Sequence, residues 1–262
     1  MRGIQADDQW SSLQYIVTVC YLIPAGGETP PLHKYLHNII FKVFGKEFGE
    51  EPFLRKVFPK KKGGSEKMTE KEKQQAGELY TGNDKELVAE RVKAKKLCAE
   101  YNSIEYNDYQ KRDRVLTRLM AFKGENTVIE PNFFCDYGYN IMIGDNFYAN
   151  HNLVILDAAE VTFGDNVFIG PNCGFYTSGH PLDSETRNQG LEYAKPIKIG
   201  NNVWIGGNVC IMPGVTIGDN VVIGAGSVVI KDIPSGTVAV GNPCKPVKKN
   251  DAPKSKIKMS KD

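Results

Sequence analysis

The chain has 262 residues and a formal net charge of +2, from 33 lysines and arginines against 31 acidic residues. That length fits one large domain with extensions or two modest domains, and so balanced a charge gives no general reason to expect nucleic acid or an anionic membrane as a partner. The six cysteines (Cys20, Cys98, Cys135, Cys173, Cys210, Cys244) form no CxxC pair and no close cluster, which speaks against a disulfide framework and for a reducing, cytoplasmic compartment.

Residues 1–67 form an N-terminal extension to which no role is assigned. Its apolar stretch Leu13–Ile23 is roughly half the length needed to cross a bilayer. Asp7 and Asp8 stand where a secretory signal would carry positive charge, so no membrane association is expected. Leu32, Tyr35, Leu36, Ile39, Ile40, Val43 and Phe44 follow helical spacing after the Pro30-Pro31 break. The Pro59-to-Gly64 stretch reads as a solvated linker sooner than as a nuclear-import signal.

Residues 68–122 read as a unit of short helices. Thr69 with Glu72 makes a capping-box pattern, and Thr81-Gly82-Asn83-Asp84 breaks the first helix. Leu87, Val88, Val92 and Cys98 are expected on one face of the second. Asp108 caps a third, with Val115, Leu116, Leu119 and Met120 as its apolar positions. So small and charged a unit has little core of its own and is expected to pack on the C-terminal part of the chain.

From residue 123 to 249 the period changes. Ile199, Ile205, Ile211, Ile217, Ile223 and Val229 recur at every sixth position, with Val203, Val209, Val215 and Val221 as a second row. Helices step by 3.6 and strands by 2. A strict six-residue step marks the hexapeptide repeat of a parallel β-helix, so the fold class is mainly β. Weaker rows run through Ile129 and Cys135, through Ile143, Ala149 and Ile155, and through Phe163, Ile169 and Phe175, with a two-residue slip between them. Gly144-Asp145-Asn146 and its counterparts at Gly164, Gly200 and Gly218 supply corner residues that tolerate positive φ. The lysine-rich stretch from Lys245 onward, including the basic tail 250–262, is expected to be frayed.

The pattern stops at Phe175 and resumes near Ile197. The intervening segment cannot fit a six-residue side and must leave the column as a long loop, where function concentrates. It holds His180 between Gly179 and Pro181, and an imidazole suits proton transfer at neutral pH. A zinc site of the three-histidine kind lacks ligands, because the repeats offer only His151 and His180. No metal is expected.

Ala76-Gly77-Glu78-Leu79-Tyr80, the stretches from Cys135 to Asn140 and from Asn146 to Asn150, Gly179-His180-Pro181, and the stretches from Ile199 to Gly206 and from Pro213 to Asn220 together resemble the maltose/galactoside O-acetyltransferases. These are hexapeptide acetyltransferases related to nodulation and xenobiotic acetyltransferases, and the resemblance spans residues 68 to 249. It implies a left-handed parallel β-helix with an N-terminal helical unit and an extended catalytic loop. It also implies a homotrimer with active sites between neighbouring columns, and transfer of an acetyl group from acetyl-CoA to a sugar hydroxyl, with a maltose- or glucose-like acceptor.

By position, the resemblance makes His180 the general base and Asn150 an acceptor-binding residue facing it from the adjacent subunit. Asp136, Asp157 and, by a loose match, Asp84 fall at or near acceptor positions. Glu192 falls beside the catalytic histidine, where the galactoside branch has methionine, and so sides with the maltose type. Trp204 and Gly207 fall at the thioester end of the coenzyme channel. Ala225 and Lys231 fall along the pantetheine arm, and Lys245 and Lys248 near the coenzyme phosphates, where relatives carry arginine and its bidentate fork. Galactoside-type relatives carry serine at the place of Gly207, whose backbone N–H still offers a donor.

Taken by their residue types alone, Trp204 equally packs an outer face, Asn150 and Asp157 are equally corner residues, and Asp136 equally caps a turn. Two alternatives stay open: another acceptor, such as a chitooligosaccharide or a xenobiotic alcohol, or a β-helix scaffold or binding protein without catalysis. Intact His180, Asn150 and Trp204 speak against the scaffold.

Overall fold

The computed structural model describes residues 67–250. The expected leader helix, the linker and the tail beyond Asn250 lie outside them. The described chain begins with α1 (Glu70–Ala76), β1 (Tyr80–Thr81), α2 (Lys85–Asn102) and α3 (Tyr109–Leu119). Thr69 caps α1 in a capping box with Glu72, and Asp108 accepts from Lys111 N at the start of α3.

The inward stripe of α2 is Leu87, Ala94, Cys98 and Tyr101. Val88 and Val92, expected on that face, are 38% and 45% exposed. Steps of seven, four and three residues keep a helical stripe in line, and Val88 stands about 100° round from Leu87. The helical residues Cys98, Tyr101, Val115, Leu116 and Leu119 belong to the same hydrophobic cluster as the coils. Asn102 fastens the join, donating to Phe133 O at 2.9 Å and accepting from Phe133 N at 2.8 Å.

The hexads form a parallel β-helix with three faces. The first stacks Phe133–Cys135, Leu153–Leu156, Gly174–Tyr176, Cys210–Ile211 and Val228–Val229. The second stacks Phe122–Lys123, Ile141–Ile143, Val161–Phe163, Ile197–Ile199 and Thr216–Ile217. The third runs from Val128–Ile129 through Tyr148–Ala149, Phe168–Ile169, Trp204–Ile205 and Val222–Ile223 to Thr237–Val240. Inside, the apolar rows stack coil on coil, and Phe147, Phe163 and Phe175 meet edge to face at centroid distances of 5.1 and 5.0 Å. Against the expectation of fraying, Lys245–Lys249 forms a strand antiparallel to Thr237–Val240, which closes the edge of the third face.

The two-residue slip has a structural meaning. Equivalent corner positions are 20 residues apart in the early coils (Asp145 N to Asp165 Oδ1), 18 in a later one (Asn201 N to Asp219 Oδ1) and 36 across the loop (Asp165 N to Asn201 Oδ1). The surplus always falls between the first and second faces: after Cys135, after Leu156 and after Tyr176. Three successive coils therefore place their extra residues on one edge, and the third places the His180 loop there. The opposite design holds at the regular corners. Asn126, Asn146, Asn166 and Asn202 all have positive φ (54°, 56°, 56° and 55°), and their side-chain amides form a ladder at 2.9, 3.1 and 3.2 Å.

Candidate active site

On the insertion edge lies a cavity of about 370 Å³ lined by Tyr80, Arg91, Asp136, Tyr137, Leu156, Ala158, Ser178, Gly179, His180 and Glu192. A larger hollow of about 490 Å³, between α3 and the first coil, has neither histidine nor cysteine in its lining. The smaller one, which holds His180, is the candidate site.

A three-stranded antiparallel sheet holds the loop: β1, then Leu191–Ala194, then Ser178–Gly179, with Tyr80 beside Glu192 and Gly179 beside Tyr193. It ties the loop to the helical unit. Gly179 leaves room for Tyr193, because a Cβ there would lie 2.6 Å from its hydroxyl oxygen and the ring would have to move. His180 Nδ1 is 3.0 Å from Leu191 O. A carbonyl only accepts, so Nδ1 carries the proton and donates, leaving the Nε2 lone pair free to act as a base.

Other polar groups that line the cavity with His180 are hydrogen-bonded in pairs. Tyr80 donates its hydroxyl to Glu192 Oε2 at 3.0 Å, and burial, reinforced by the Glu192 charge, pushes the Tyr80 phenol well up. Arg91 donates to Tyr137 Oη at 2.6 Å and to Gly82 O. Burial raises the Asp136 carboxyl above its ordinary value, while the Arg91 and Lys95 charges oppose that shift.

The expected site residues separate into two groups. His180, Glu192 and Asp136 come together in the cavity. Asp84 does not line it: its carboxylate caps α2, accepting from Glu86 N at 2.9 Å and Leu87 N at 3.4 Å. Asp157 is 0% exposed, so it has no face to offer an acceptor directly. Its oxygens accept from Asp136 N, Tyr137 N and Gly138 N at 3.0, 2.8 and 2.6 Å. Burial pushes its carboxyl up to about 6 against the pull of these donors.

Asn150, Gly207 and Ala225 lie on another edge, at corners following the third face. The strands leading into them stack as Tyr148, Phe168, Trp204 and Val222. Asn150 Oδ1 accepts from His151 N at 2.7 Å, and Trp204 is 59% exposed. Lys231, Lys245 and Lys248 are exposed near the far end of the column. His180 and Asn150 therefore lie on different edges of one chain, and Asn150 does not line the cavity that holds His180. Among the described residues, no group of three His, Cys, Asp or Glu is arranged to hold a metal.

Sequence reasoning missed Arg91, Tyr137, Ala158 and Ser178. Arg91 had a readable signal: it sits four residues after Leu87 and three before Ala94, a charge inside the apolar stripe of α2. The others had none, because the short inserts that carry Tyr137 and Ala158 and the long loop that carries Ser178 follow no period.

Comparison with known proteins agrees with this architecture. A family model for the maltose acetyltransferase hexapeptide capping motif matches residues 73–121, and one for the bacterial transferase hexapeptide (six repeats) matches residues 196–231. The galactoside O-acetyltransferase of Escherichia coli is 48% identical over 184 residues, covering 70% of this chain and 91% of that protein. The crystal structure of a maltose O-acetyltransferase from Clostridium difficile is 54% identical, with a TM-score of 0.69 over 70% of this chain and 97% of that one. A hexapeptide-repeat acetyltransferase from Vibrio cholerae, solved with acetyl coenzyme A, is 39% identical, with a TM-score of 0.64 over 70% of this chain and 98% of that one. Helical cap, hexapeptide coils and these relatives together show that the chain belongs to the maltose/galactoside O-acetyltransferase family of hexapeptide acetyltransferases.

Proposed function

We propose that the protein transfers an acetyl group from acetyl-CoA to a sugar hydroxyl, maltose- or glucose-like, with His180 as general base. The observation that carries this reading is the 3.0 Å contact between His180 Nδ1 and Leu191 O. The Nδ1–H is held by that carbonyl, so Nε2 stands ready at a cavity that also presents Asp136, Glu192 and Arg91. As the acceptor oxygen attacks the thioester carbonyl, Nε2 takes its proton. The tetrahedral intermediate collapses, the carbon–sulfur bond breaks, and the imidazolium returns the proton to the departing thiolate. Carboxylates and a guanidinium around a polar cavity suit hydroxyl groups, which donate and accept at once.

The donor half of this reading rests on the other edge. Trp204 and Phe168 are 59% and 50% exposed, apolar surface that a pantetheine arm or a neighbouring column would cover. In a homotrimer, the His180 edge of one subunit meets the Asn150, Gly207 and Ala225 edge of the next, which completes a site that a single chain leaves divided. The exposed lysines 231, 245 and 248 complement the coenzyme's phosphates. The described cysteines form no disulfide, in keeping with a cytoplasmic enzyme.

In a coenzyme A release assay with maltose, glucose and galactosides, His180→Ala is expected to lose about 10²- to 10⁴-fold in kcat with the oligomer unchanged. Undiminished turnover in that variant would dispose of the mechanism.

A further inference from the structure

Asp157 and Thr177 are both 0% exposed, and each belongs to the surplus residues on the insertion edge. Each also reaches back to the surplus of the coil before it. The Asp157 carboxylate gathers the three consecutive N–H groups of Asp136, Tyr137 and Gly138, and its own carbonyl accepts from Asn140 Nδ2 at 2.7 Å. Thr177 donates its hydroxyl to Leu156 O at 2.6 Å and accepts from Ala159 N at 3.0 Å. Irregular backbone on a buried edge must find partners for its polar groups, and here these two side chains supply them.

The sequence of contacts runs through the cavity. Asp136 and Tyr137, whose N–H groups end on Asp157, line it on one side. Ser178, Gly179 and His180, which come directly after Thr177, line it on the other. We infer that Asp157 is a positioning residue for the transfer reaction: its buried carboxylate sets the 136–138 turn and so the placement of Asp136, while Thr177 ties that turn's support to the strand carrying His180. The inference rests on the acceptor reading of the cavity. It assigns Asp157 no contact with acceptor or coenzyme.

The test is Asp157→Asn in the full chain, because an amide nitrogen in place of one oxygen turns a donor toward donors. Peptide-resolved hydrogen exchange is expected to speed up by about tenfold or more at residues 136–138, with the coils from Cys210 to Val229 unchanged. Exchange at 136–138 that stays as slow as in the wild type overturns the inference, whatever the enzyme acetylates. With maltose as acceptor, KM for maltose is expected to rise about tenfold while KM for acetyl-CoA stays within about twofold. Equal rises in both, or a fall in kcat alone, would mean a merely structural role and overturn the positioning claim. A wild type inactive on maltose, glucose and galactosides would sink the sugar reading instead, and the exchange result would still decide the brace.

Discussion

Arg91 stands between Leu87 and Ala94 on the inward stripe of α2, where an apolar side chain would be the ordinary choice. Its guanidinium instead ties Tyr137 Oη to Gly82 O and lies close enough to Asp136 to oppose the rise that burial imposes on that carboxyl. Without the cation, Asp136 shifts further up and stays protonated to higher pH, so fewer molecules hold a carboxylate for the acceptor hydroxyls. In Arg91→Ala, the acid limb of the kcat/KM profile for the acceptor is therefore expected to move to higher pH than in the wild type. An unmoved limb would mean that Asp136 does not govern acceptor binding. Asp157 is the complementary case. The resemblance placed it near an acceptor position, but its burial was not legible, because nothing in a corner residue's identity says which way it faces.

At the scale of elements, the hexad columns were readable because a six-residue step has no rival period, whereas the inserts that build the cavity have no period at all. The two-residue slips were visible as interruptions. That they share one edge emerges only when the coils are stacked. Asp84, a loose match, sits where a local rule operates: an Asp two residues before a helix's free N–H groups satisfies those donors. The regular corners support a separate test. Asn166 has φ 56° and bonds Asn146 and Asn202 through its side-chain amide. Asn166→Gly keeps the backbone and loses the amide bonds, while Asn166→Ala also meets the left-handed penalty of roughly 1–2 kcal/mol. Unfolding of the two variants is expected to show the alanine variant the less stable by about 1 kcal/mol. Equal stabilities would mean that the ladder's hydrogen bonds, and not the corner conformation, select asparagine there.

At the scale of the molecule, the coils of residues 123–249 present two unlike edges. One carries His180 and a polar cavity; the other carries Asn150, the corners at Gly207 and Ala225, and an exposed indole. Under the proposed reaction neither edge is complete by itself, because His180 and Asn150 lie on different edges of one subunit. The proposed activity therefore depends on assembly, and cyclic symmetry makes the prediction quantitative. His180→Ala and Asn150→Ala would each impair every site in their own homotrimers. When the two variants are co-expressed and assemble at random, about a quarter of the sites pair an intact His180 with an intact Asn150. Acetyl transfer by such mixed trimers is the most direct measurement. Recovery toward about a quarter of wild-type turnover is the result expected if neighbouring subunits share each site, and mixed trimers no more active than the two parents would contradict it.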